Sequence, residues 1–124
     1  MDQNRPAESE INEAFDKWTT EWNRGNVDGY LEAYLDAPHT RYVSGKTIIR
    51  GHENIVAHFQ KRGAKGKLSL VGKEIDFMSQ TDAHIFGEYV VDIDDGSGAV
   101  VKGCFTIYLQ KVGDRWKIVH DHSS

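Results

Sequence analysis

Cysteine is almost missing from this chain: Cys104 is the only one in 124 residues. No internal disulfide framework is available, so the fold must hold by packing. A reactive thiol needs an electropositive, accessible setting. Cys104 falls inside a predicted strand, and a small buried residue is the expectation there. Basic charge is scarce too. Fifteen Lys and Arg stand against nineteen Asp and Glu, a net charge of −4. The basic residues are scattered, whereas a nucleic-acid surface needs them in a stripe. No nucleic-acid partner is expected. No apolar run approaches the ~18 residues of a membrane span. Met1 to Arg5 carries no apolar signal core. A soluble, cytoplasmic protein without a membrane partner is the expectation. Also missing are a Gly-rich phosphate loop, a Gly-x-Ser-x-Gly elbow and a Cys/His pair of clear geometry.

What is present suffices for one core. The chain is 39% hydrophobic, and 3 Trp, 5 Tyr and 5 Phe supply much of the volume. This length predicts a single domain over residues 8–124. Residues 1–7 are polar and read as a disordered extension.

Two periodicities divide the chain. Ile11, Ala14, Phe15, Trp18 and Trp22 recur at three and four residues, one apolar face of a helix. Gly25 is a stop and Asn26 an N-cap for a second helix. Its stripe is Val27, Tyr30, Leu31, Tyr34 and Leu35, and Pro38 ends it. Thr40 to Ser44 and Thr47 to Arg50 flank Gly45-Lys46 and predict a short hairpin. Gly51 breaks it, and His52 to Arg62 reads as a third helix with Ile55 and Phe59 inward. Then come long β runs over residues 68–78, 84–93, 100–112 and 115–122. Short turns part them: Gln80-Thr81-Asp82, Asp94 to Gly98 and Gly113-Asp114. Strands this long with such turns predict an antiparallel meander. The fold class is α+β, three helices of the N-terminal half packed on a curved antiparallel sheet. Helices cannot cover a strongly bent sheet completely, so a cavity between the layers is expected.

The end of the chain, Trp116-Lys117-Ile118-Val119-His120-Asp121-His122-Ser123-Ser124, carries the sharpest expectation. In a strand, side chains two apart share a face. Trp116, Ile118, His120 and His122 then point the same way, an apolar stripe that runs into two imidazoles. With Gly113-Asp114 as a two-residue turn, Leu109 faces Ile118, Ile107 faces His120 and Phe105 faces His122. Asp121 falls on the other face with Thr106, Tyr108 and Val119, as a solvated charge or a partner for Lys117 or Lys111. A one-residue slip inverts this pairing.

Several segments together resemble the NTF2-like superfamily, and more closely its SnoaL-like and DUF4440 branch. They are Trp22 to Asp28, Tyr42 to Gly45, the Ile49-Arg50-Gly51 step into the third helix, and the terminal tail. The tail is also similar to the close of the calcium/calmodulin-dependent kinase II association domain. The resemblance covers roughly residues 10 to 124. It implies a cone-shaped α+β barrel with a cavity and a homodimer through the outer sheet face. It does not imply one chemistry, because the superfamily spans ketosteroid isomerase, polyketide cyclases, dehydratases and pocket proteins without known activity. The isomerase base is an Asp just after the first short strand. Thr40 to Ser44 holds no carboxylate, and Asp36 lies earlier. Steroid isomerisation is therefore not expected, and polyketide cyclase activity loses support for the same reason.

His120 and His122 are the candidate catalytic groups, since imidazole titrates near neutral pH. As polar caps on the core they would have no such role. His-x-His on one strand face also suits a metal, with a third ligand sought at His52, His58 or Glu88. No acidic cluster accompanies it, and neither metal nor cofactor is expected. Arg50, before a helix N-terminus, suits a carboxylate. Tyr42 and Ser44 share a strand face and offer hydroxyls. Trp22 and Tyr34 lie near helix ends, where they either line the cavity or pack the core. With Phe105, Ile107, His120 and His122, these form the expected binding set. The expected function is a pocket for a small carboxylate- or carbonyl-bearing organic molecule. The alternatives are an isomerase, dehydratase or cyclase-type enzyme using a pocket histidine, and an oligomerisation module without ligand.

Overall fold

The computed structural model describes residues 8–93 and 96–124. The expected disordered extension and the Asp94-Asp95 part of one turn lie outside them. The order of elements is α1 (Glu8–Asn23), α2 (Val27–Leu31), β1 (Arg41–Ser44), β2 (Thr47–Arg50), α3 (His52–Arg62), β3 (Lys67–Phe77), β4 (Asp82–Asp92), β5 (Val100–Val112) and β6 (Arg115–Ser123). Six strands form one sheet in the order β2-β1-β6-β5-β4-β3. The sheet is curved and unclosed, with the helices on its inner face. Every neighbouring pair is antiparallel except β1 with β6, which run parallel.

The helix stripes bury as their spacing requires. Ile11, Phe15, Trp18 and Trp22 of α1 are buried, and so are Ile55 and Phe59 of α3. Asn23 fixes α1 to the sheet edge. Its side-chain amide donates to Leu68 O at 3.0 Å and accepts from Leu68 N at 2.7 Å, as a neighbouring strand would.

The second helix is shorter than its stripe suggests. Asn26 caps it as expected, accepting from Gly29 N at 3.2 Å, but the helix ends at Leu31. The backbone beyond pairs with β6 instead. Ile118 N donates to Ala33 O at 2.7 Å, and Leu35 N donates to Ile118 O at 2.9 Å. Two strand-type bonds replace helical ones, and Tyr34 is laid alongside β6.

The decisive departure lies in the last hairpin. Val112 pairs with Arg115 and Leu109 with Ile118, as counted from the Gly113-Asp114 turn. The next pair is Tyr108 with His120. Val119 is an extra residue opposite no partner on β5, a β-bulge. Beyond it Ile107 pairs with Asp121, Thr106 with His122 and Phe105 with Ser123. Every side chain after Val119 therefore takes the face opposite to the one simple alternation gives it. Cys104 corrects a second expectation: it is exposed on the outer face, because Phe105 takes the inward position beside it.

Candidate functional site

Between helices and sheet lies a cavity of about 160 Å³. Phe15, Trp18 and Trp22 of α1 wall one side, and Phe105 and Ile107 of β5 wall another. Leu68 and Leu70 of β3 add to this apolar lining. Gly87 lets Phe105 lie where it does. A Cβ built on Gly87 would meet the Phe105 ring at 2.7 Å, closer than carbon atoms can stand.

Tyr30, Tyr42, Ser44, Arg62, Asp121 and Ser123 form a polar end of the lining, where β1 sets Tyr42 beside Asp121 and Ser44 beside Ser123; Thr19 and Tyr89 also line the cavity. Asp121 is only 6% exposed. Its Oδ2 accepts from the Tyr34 hydroxyl at 2.7 Å. Tyr34 is fully enclosed behind the cavity wall, and its hydroxyl lies 3.1 Å from that of Tyr30. Arg62, exposed at the end of α3, donates Nη1 to the Tyr42 hydroxyl at 3.5 Å. Burial pushes the Asp121 carboxyl up to about 6, and the Tyr34 hydrogen bond, the His122 imidazole and the Ser123 hydrogen bond pull the other way. Burial, reinforced by the Asp121 charge, raises both Tyr30 and Tyr34 above the ordinary phenol range. Both phenols stay protonated at neutral pH while Asp121 titrates near it. A carboxyl of that kind in an apolar cleft can both take and return a proton.

The expected site residues separate into groups. Trp22, Tyr42, Ser44, Phe105 and Ile107 line the cavity. Tyr34 stands one layer behind it. Arg50 is exposed on β2 away from it, and its carbonyl serves α3 by accepting from Asn54 Nδ2 at 2.9 Å. His120 and His122 do not reach the cavity: the bulge at Val119 turns both to the outer face. There Arg41 Nε donates to His120 Nδ1 at 3.2 Å, and the two imidazoles lie 6.4 Å apart. Burial lowers the His120 pKa, with Arg41 and His122 adding to the effect. The reading of Asp121 as a solvated charge is reversed by the same bulge. Thr40 to Ser44 holds no carboxylate, and Asp121 reaches the cavity from β6. Tyr30 and Arg62 join the site without having been singled out for it. Among the described residues, no three His, Cys, Asp or Glu side chains converge as a metal would need.

Three helices on a curved, unclosed sheet, with a cavity between them, define an NTF2-like protein. Residues 11–124 match the SnoaL-like domain, and the chain belongs to that family. An NTF2-like protein of unknown function from Shewanella oneidensis MR-1 is 26% identical, with a TM-score of 0.85 over 94% of this chain and 98% of its own. Two others share the fold at lower identity. One is a Xanthomonas campestris protein provisionally called a calcium/calmodulin-dependent protein kinase II association domain, at 18% identity and TM-score 0.76 over 98% of this chain and 89% of its own. The other is a Novosphingobium aromaticivorans DSM 12444 protein provisionally called a scytalone dehydratase, at 12% and 0.78 over 94% and 81%. No curated protein matches the chain in sequence.

Proposed function

We propose that the cavity binds a small, mainly apolar carbonyl compound and that Asp121 is the acid–base group acting on it. The observation that carries this reading is one buried carboxyl in the wall of an aromatic cavity, held by Tyr34 at 2.7 Å. A carbonyl oxygen would accept from the Tyr42 hydroxyl, near the Arg62 guanidinium. Asp121 would take a proton from the carbon beside the carbonyl and return it elsewhere on the same molecule. This is the chemistry of an isomerase or, with a hydroxyl leaving as water, of a lyase. The acid–base role passes from the histidines to Asp121 because only Asp121 faces the cavity. A second copy of the chain would cover the outer sheet face, where Phe86 and Tyr108 are 38% and 36% exposed.

The test is proton exchange. Cyclohexanone and 2-tetralone are incubated with the protein in D2O, and loss of the α-proton signal is followed by NMR. Exchange above background that Asp121→Asn abolishes, with binding retained, is the expected result. Equal rates with both proteins would leave a binding pocket without turnover.

A further inference from the structure

Tyr34 has one hydroxyl proton, and with Asp121 ionised the hydroxyl donates it to Asp121 Oδ2. The bond between the Tyr34 and Tyr30 hydroxyls, 3.1 Å long, then has one direction: Tyr30 donates and Tyr34 accepts. Tyr30 has spent its only proton inward. Tyr30 lines the cavity and Tyr34 does not. What Tyr30 shows a bound molecule is therefore lone pairs alone. Asp121 beside it, when ionised, is also an acceptor only. The opposite polarity stands at Tyr42. Its oxygen accepts from Arg62, and its own proton has no protein acceptor among the described residues.

We propose that the chain Tyr30–Tyr34–Asp121 sets the specificity of the cavity: it admits molecules that donate a hydrogen bond at that end. Tyr34 is the positioning residue, because it fixes the polarity of Tyr30 from behind the wall. The proposal rests on the cavity being a ligand site and names its substrate class. That class is a small hydroxy-carbonyl compound, its hydroxyl or enol O–H toward Tyr30 and Asp121 and its carbonyl toward Tyr42.

Three probes built on the toluene ring separate the possibilities. p-Cresol donates and accepts, 4-methylanisole only accepts, and toluene does neither. Each is titrated at pH 8 by ligand-observed NMR. The wild-type protein is expected to hold p-cresol about fivefold more tightly than 4-methylanisole, the size of one hydrogen bond. Tyr34→Phe frees the Tyr30 proton. 4-Methylanisole then gains affinity and the ratio falls toward one. Tyr30→Phe also lowers the ratio, but by weakening p-cresol while 4-methylanisole stays as it was. A purely structural role for Tyr34 would weaken all three probes together. Equal binding of p-cresol and 4-methylanisole to the wild type, or a ratio that Tyr34→Phe leaves unchanged, overturns the polarity and spares the ligand site. Failure of every probe to bind overturns both.

Discussion

The Tyr34 hydroxyl donates to Asp121 Oδ2 across 2.7 Å, joining residues 87 positions apart in the chain. The bond ties the segment after α2 to the last strand and faces a carboxyl that water barely reaches. Tyr34→Phe is expected to cost about 1.5–3 kcal/mol at pH 8, where the carboxylate needs its donor. At pH 5, with the carboxyl neutral, the cost should be smaller. Urea unfolding at the two pH values measures it, and equal losses at both would contradict the account.

Asp121 also makes stability depend on pH in a definite direction. Its folded-state pKa, about 6, lies above the ordinary aspartate value of 3.8. Folding therefore favours the protonated form. The contribution is fully present below about 3.8 and is lost as pH rises through 6, a swing of about 3 kcal/mol. His58 and His120, both lowered mainly by burial, act in the opposite sense, since their contribution is lost as pH falls below the ordinary imidazole value. The difference between wild type and Asp121→Asn isolates the carboxyl. Parallel stability curves for the two proteins from pH 4 to pH 8 would refute this assignment.

The outward histidines give a contrasting expectation. His120→Ala with His122→Ala should leave p-cresol affinity within about twofold of wild type, because neither ring reaches the cavity. A tenfold loss, measured by the same NMR titration, would return the histidines to the site.

Gly87→Ala tests the shape of the cavity. The added methyl meets the Phe105 ring, which is 4% exposed and lines the cavity. The ring is expected to move inward, so that probe binding falls and stability drops by about 1–3 kcal/mol. Unchanged affinity would mean that the ring relaxes another way.

Phe86→Glu places a charge on the exposed outer face. If a second copy covers that face, light scattering should show the mass fall from two chains to one. A wild-type chain already of single mass would remove the second copy from the proposal.

Much of the fold was legible because it rests on local periodicity. The stripe from Ile11 to Trp22, the helix from His52 to Arg62 and the four long strands follow directly from spacing and turn residues. The end of α2 was not legible in this way. Its stripe continues to Leu35, and only the pairing of Ala33 and Leu35 with Ile118, far along the chain, stops it. At the site, Tyr42, Ser44, Phe105 and Ile107 come from regular strands and line the cavity. His120, Asp121 and His122 follow Val119, and one unpaired residue exchanges their faces. No side-chain pattern marks that bulge, since Trp116, Ile118, His120 and His122 alternate well on paper. The buried Asp121 is understandable only together with Tyr34, a partner in another part of the chain.

The bulge at Val119 has a consequence for comparing this chain with its relatives. Omit Val119, and Trp116, Ile118, Asp121 and Ser123 fall into plain alternation, all facing inward. A relative one residue shorter here would present the same carboxyl from an ordinary strand. A column-by-column alignment without a gap would set that carboxyl against His120. Two chemically identical pockets would then look like an acid in one protein and an imidazole in the other.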